Sequence, residues 1–285
     1  DVRILDTKEG ALSAPANVLT DGGVIADTDA HSSANGCHVI ECEGLTLSPG
    51  IIDCHCHILS PFVAEQKGIP GAWALRQIRR NLTSALACGV VCVRDMMSPI
   101  GIMNRYRRAI ASGKLTGPRI LAAGPMLTRK GGYPEFIRPL PSVIGRFTGQ
   151  PRIDLETPAE AADAIHRLHK QGIDIVKVAY TILNAQLDKD VQLPVISADV
   201  FDAICKTAHS LGLKVSVHHF CAEDLRCILR HDVDSVEHLP FDRKLSAGEI
   251  EAIKNHGVTV VPTLTMTDCS IRFEEKAGFL ESAHA

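Results

Sequence analysis

Two patterns of apolar and polar positions divide the chain. Over residues 1–48, short apolar runs at 2–5, 38–41 and 45–47 are separated by Gly, Asp, Asn and Ser, with no helical period. That pattern predicts a small β-rich flank. Across 49–285, apolar segments of strand length recur at 51–58, 90–95, 119–124, 173–180, 214–219, 233–239 and 258–264. Helix-like stretches fill the intervals and carry clear end signals. Thr157-Pro158-Ala159-Glu160 has the form of a capping box with proline at the first helical position, and Ser246-Ala247-Gly248-Glu249 repeats the box. Gly89, Gly172 and Gly257 each fall between a helix and the next strand, where helices commonly stop.

Repeated strand–helix units predict an α/β fold with a parallel sheet and right-handed crossovers. Seven strands over about 215 residues fit a TIM-type (β/α)8 barrel that stops one strand short. A doubly wound open sheet is the structural alternative, but no Gly-rich phosphate loop follows the first strand. The segment 125–153 is long for a βα connection and rich in Gly, Pro and Arg, which suggests a functional loop over the site. Residues 265–285 read as a loop and a helix around 273–277.

Composition narrows the partners. With 285 residues and 45% hydrophobic content, the chain can bury a large core. The formal charge is −3, and Lys and Arg are scattered, so a nucleic-acid partner is not expected. No apolar run reaches the roughly 18 residues of a membrane helix, so no membrane partner is expected. The ten cysteines show no framework spacing, which suits free thiols in a reducing, cytoplasmic setting. The chain opens on Asp1 inside a strand-like run, which is also compatible with a removed secretion leader.

The chemistry gathers at strand ends, where barrel active sites are built. In Ile52-Asp53-Cys54-His55-Cys56-His57 the period of 2 puts His55 and His57 on one face, about 7 Å apart, and turns Cys54 and Cys56 toward the helix layer. The fourth strand carries Lys177 inside an apolar run, the fifth ends on His218, and the sixth ends on His238. Singly, each has a bland reading: a snorkelling lysine or a satisfied core histidine. Jointly, His, Lys, His and His at four strand ends in chain order point to divalent metal. A lysine in a strand interior is costly unless its charge is removed. A neutral, desolvated lysine can take up carbon dioxide as a carbamate, whose two oxygens can bridge two ions.

These motifs, together with Leu47-Ser48-Pro49-Gly50, Gly89-Val90-Val91-Cys92-Val93-Arg94-Asp95, Val236-Glu237-His238 and Val261-Pro262-Thr263-Leu264, resemble the amidohydrolase superfamily. Within it they resemble the branch of imidazolonepropionases and Xaa-Pro dipeptidases (prolidases). The resemblance implies two divalent ions, zinc first, with His55 and His57 on one and His218 and His238 on the other. It also implies a carboxylated Lys177 bridging both ions. Lys177 and His238 are the expected catalytic residues. The flank corresponds to the family's small β-sandwich. The implied reaction is hydrolysis of a C–N bond in a small-molecule amide, cyclic amide, N-acyl or peptide substrate by a metal-bridging hydroxide, and a homo-oligomer is expected.

Substrate choice departs from the branch. Peptidase members place a tyrosine two residues after the fifth-strand histidine and an arginine five residues after it. Here those positions hold Phe220 and Glu223, which neither donate to a carbonyl nor grip a carboxylate. Tyr133, Arg138 and Arg146 of the long third loop are the candidates to replace them, so Tyr133, Arg138 and Phe220 are the expected substrate-binding residues. The competing readings are an inactive scaffold barrel and a lactone or phosphotriester hydrolase on the same metals. Asp268, in Thr267-Asp268-Cys269, resembles the family's last strand motif but follows the seventh strand too closely for a helical crossover. The expectation is therefore a segment of a protein of roughly 400 residues, with the eighth strand and its aspartate beyond residue 285.

Overall fold

Short strands joined by tight turns make up the first of two compact units, Asp1–Ile51 and Ile52–Ala285. The computed structural model describes residues 1–28, 36–59, 71–137, 139–184 and 188–271. In the first unit, β1 (Arg3–Asp6) pairs antiparallel with β2 (Ala11–Leu12) and parallel with β5 (Thr46–Leu47). Strands β3 (Leu19–Asp21) and β4 (Val24–Asp27) form a hairpin. Its two-residue turn is Gly22-Gly23, both at positive φ (56° and 81°), the backbone that matches the twist of the flanking strands. The apolar run at 38–41 joins no ladder, because no described strand lies against it.

The second unit is a succession of βα steps. They begin with β6 (Ile51–Cys56), α1 (Gly71–Ala87), β7 (Val90–Asp95), α2 (Ile100–Ala111), β8 (Arg119–Ala122) and β9 (Met126–Thr128). Next come α3 (Ser142–Thr148), β10 (Arg152–Asp154), α4 (Pro158–Lys170), β11 (Ile175–Ala179) and a hairpin of β12 (Leu183–Asn184) and β13 (Asp188–Gln192). The steps end with α5 (Ala198–Ser210), β14 (Lys214–His218), α6 (Ala222–Ile228), β15 (Ser235–Glu237), α7 (Ala247–Asn255), β16 (Thr259–Val261) and α8 (Leu264–Ile271). Strand ladders run β6-β7-β8 and β10-β9-β11-β14-β15-β16. Every pairing recorded within these two ladders is parallel.

The third barrel strand is broken in two. Its first half, β8, pairs with β7, and its second half, β9, pairs with β11 and β10. The break falls at Gly124-Pro125, where Gly124 adopts φ 74° against Ile173. The backbone N–H of Asp174 donates to Ala122 O at 2.9 Å, so the fourth strand follows both halves. Seven strand positions thus succeed one another in chain order, the arrangement of a (β/α) barrel. Among the described residues no strand pairs with the outer edge of β6 or β16.

Helix ends follow their sequence signals. Thr157 Oγ1 accepts from the N–H of Glu160, whose carboxylate accepts from the N–H of Thr157, and Ser246 and Glu249 repeat this exchange. Along β11 the side chains alternate. Val176 and Val178 join the main core beneath the helices, whereas Ile175, Lys177 and Ala179 face inward.

The segment 125–153 differs from its expectation as a loop. It contains β9, the short helix α3 and the start of β10. Beyond β16, helix α8 starts at Leu264 and carries Asp268 in its second turn, while 273–277 lies outside the described residues.

Candidate metal centre

The end of β6 presents His55, and the residue just past it His57, side by side, with ring centroids 5.2 Å apart at 79°. Their Nε2 atoms face one another at 3.4 Å. His238, just past β15, brings its ring to 4.8 Å from that of His55, and His218, at the end of β14, lies 4.7 Å from His238. Three strand ends distant in sequence therefore deliver one contiguous cluster of four imidazoles. All four border a single cavity of about 540 Å³.

Burial keeps these rings neutral. It is the largest cause of depression in each, taking His57 to about 3, His218 well below the usual range, and His55 and His238 lower as well. A neutral imidazole offers the lone pair that a metal ligand needs. Lys177 lies on the same inward face, fully buried, and its Nζ makes no hydrogen bond. Loss of solvation lowers its amine to about 7, against the opposing pull of Glu237. Near neutral pH a large share of it is uncharged.

These residues fit divalent ions. Two nitrogens each about 2.0–2.1 Å from a tetrahedral ion stand roughly 3.3–3.4 Å apart, the separation found between His55 and His57 Nε2. His218 Nε2 and Lys177 Nζ are buried without partners, as ligands awaiting a cation would be. Among the described residues no three His, Cys, Asp or Glu side chains close on a common point. A set built on pairs of histidines therefore needs a further donor such as Lys177.

Around the cluster the cavity is apolar. Tyr133 lies flat on His218, centroids 4.4 Å apart and planes within 5°, and makes edge contacts with Phe136 and Phe220. Phe220, buried, meets His218 edge-on at 4.3 Å. Met97, Met126 and Met266 complete much of the wall.

A profile of the amidohydrolase family matches residues 46–278. The chain belongs to the amidohydrolase family. An uncharacterized protein of Mycobacterium tuberculosis is 26% identical over 241 residues, 85% of this chain and 55% of that protein. The amidohydrolase chain described here thus spans about half the length of the curated relatives it matches. Among solved structures, an amidohydrolase superposes with a TM-score of 0.79 at 23% identity, over 96% of this chain and 67% of the other. A Xaa-Pro dipeptidase with bound methionine in its active site superposes with a TM-score of 0.73 at 23% identity, over 96% and 68%. At such identities the likeness speaks for the fold.

Most sequence-derived site residues of this amidohydrolase come together: the four histidines, Tyr133 and Phe220 line the cavity, with Lys177 buried on the same inner face. Arg138 lies outside the described residues. Arg146 stands exposed on α3 and does not border the cavity, because the segment around it folds into a surface helix. Cys56 packs against the core and also borders the cavity. From α8 the cavity takes Leu264, Thr265 and Met266.

Three pairings were not read from the sequence, although Glu237, Arg94 and Thr263 lie within motifs quoted above. Glu237, fully buried, bonds His55 Nδ1 at 2.5 Å and accepts from Arg94 Nη2 at 2.6 Å and from Ser216 Oγ. Thr263 Oγ1 bonds His238 Nδ1 at 2.6 Å, and both residues hold positive φ (47° and 75°), which is uncommon for a β-branched residue. Arg152, buried, donates to the carbonyls of Arg129, Gly132 and Pro134 and thereby fixes the turn that carries Tyr133. Each links residues far apart in sequence, where local pattern carries no information.

Proposed function

We propose that this chain carries the binuclear metal centre of a hydrolase that cleaves a C–N bond in a neutral, largely apolar amide. The observation that carries the reading is the convergence of four buried imidazoles on one cavity, with an unpartnered lysine buried on the same inward face of the strands. His55 and His57 would hold one ion, His218 and His238 the other, and Lys177, carboxylated, would bridge them. Bound there, divalent ions would supply an acidified water and Lewis-acid polarisation of the scissile carbonyl. Zinc suits nitrogen and carboxylate donors best.

The chain's own residues do the rest. Burial strips competing protons from the four imidazoles. Tyr133, Phe220, Phe136 and the methionines exclude water and offer aromatic and thioether surface to the substrate. Asp53 borders the cavity beside this aromatic wall, and its carboxylate disfavours a substrate with a free carboxylate.

The test joins metal analysis to a screen of the full-length protein for hydrolysis of N-acyl amino acids, N-acyl aryl amides, cyclic amides and dipeptides. About two ions per chain and turnover favouring neutral amides are expected. Absence of metal would favour a scaffold barrel, and preference for lactones or phosphotriesters would move the reaction class.

A further inference from the structure

We infer that Glu237 is a positioning residue that decides which nitrogen of His55 faces the cavity. The inference rests on the metal-centre reading above for its consequence, but not for its geometry.

Glu237 sits on β15, one residue before His238, with no exposed surface. Its two oxygens are committed differently. Oε1 accepts from Arg94 Nη2 at 2.6 Å and from Ser216 Oγ, and Ser235 Oγ lies 3.4 Å away. Oε2 meets His55 Nδ1 at 2.5 Å. Arg94 also donates from Nε to Cys54 O at 2.5 Å, the carbonyl just before His55. One guanidinium thus ties the β6 backbone to the carboxylate that receives the β6 histidine. With a fixed cation and a hydroxyl on Oε1, the group is an acceptor at Oε2, so His55 must place its proton on Nδ1. The Nε2 lone pair is then aimed at the cavity, facing His57 Nε2. Buried carboxylates behind histidine ligands fix tautomer and ring angle in this way, and their loss costs metal affinity.

Glu237→Gln gives the sharpest test. Arg94 and Ser216 claim the amide oxygen, so the NH₂ faces His55 Nδ1 and donates to it. The His55 proton is forced to Nε2, which can no longer ligate. Competition with a chromophoric chelator should show zinc or cobalt(II) affinity reduced by roughly 10- to 100-fold, with an altered cobalt(II) absorption spectrum. Ser216→Ala, which leaves the His55–Glu237 bond in place, should stay within a few-fold of the parent.

A folded Glu237→Gln protein with unchanged affinity and spectrum would overturn the inference. Should that variant not fold, long-range ¹H–¹⁵N correlation on the metal-free parent decides. His55 protonated at Nδ1 and bare at Nε2 supports the assignment, and any state with a proton on Nε2 refutes it. If the parent binds no divalent ion, the metal-centre reading fails alone, because the tautomer is still read in the metal-free protein.

Discussion

Lys177 is the residue whose environment departs furthest from its ordinary chemistry. Its amine, normally near 10.5, falls to about 7 through burial. Between those values the unfolded chain binds a proton that the folded chain does not, so stability rises with pH across that window. Below about 7 the full cost of the buried ammonium is present, on the order of 5 kcal/mol. Lys177→Met in metal-stripped, bicarbonate-free protein should therefore raise the unfolding midpoint most at pH 6 to 7, with the gain shrinking toward pH 10. A gain independent of pH would show that the lysine is not held neutral by burial. Tyr133 makes a second residue-level case. Tyr133→Ala removes the ring stacked on His218 and should cost about 2–4 kcal/mol in denaturant unfolding, while raising KM for aryl amides. Tyr133→Phe keeps the stack and should leave both nearly unchanged.

Among the elements, the broken third strand is the most informative. A Cβ at Gly124 would come within 3.0 Å of Ile173 Cγ2, and the backbone there is left-handed. Gly124→Ala should cost about 1–2 kcal/mol, read by urea unfolding, and a neutral result would show that the break relaxes freely. Thr157→Ala removes one half of the capping box of α4 and should cost about 1 kcal/mol. Both sites show what was legible in the chain. Capping boxes and β-branched runs are local signals, so helix starts and the seven strand positions followed from pattern. The break at Gly124-Pro125, the short strand β10 and the helix over 142–148 did not, because partners across space decide them. The same holds at the site. Histidines at strand ends announced themselves, whereas the Glu237–Arg94 bond joins residues 143 positions apart, and neither motif shows that the two pair.

At the scale of the molecule, the histidine pair at the end of β6, in one ladder, meets the histidine that follows β15, in the other, with the rings of His55 and His238 4.8 Å apart. The centre therefore draws on strands from both ends of the described barrel sequence, and an ion bound there would hold those ends together. Binding only to the folded state stabilises it by about 2.7 kcal/mol at a hundredfold excess over Kd. For a unit of this size that corresponds to roughly 5–10 °C in Tm. Zinc added to chelator-treated protein should give such a rise by differential scanning fluorimetry, and His55→Ala should lose most of it. An unchanged midpoint would argue against ligation across the barrel.

The parallel stack of Tyr133 on His218 also makes the site an optical reporter. The chain has three tyrosines and one tryptophan, so few chromophores compete in the near ultraviolet. A tyrosine locked 4.4 Å from an imidazole sits in a fixed asymmetric field and should carry a distinct near-ultraviolet circular dichroism band. An ion drawing electron density from that imidazole would shift the band without any added label. Titrating metal into the parent and into Tyr133→Phe would then read occupancy of the His218 site directly, as the part of the signal that the substitution erases.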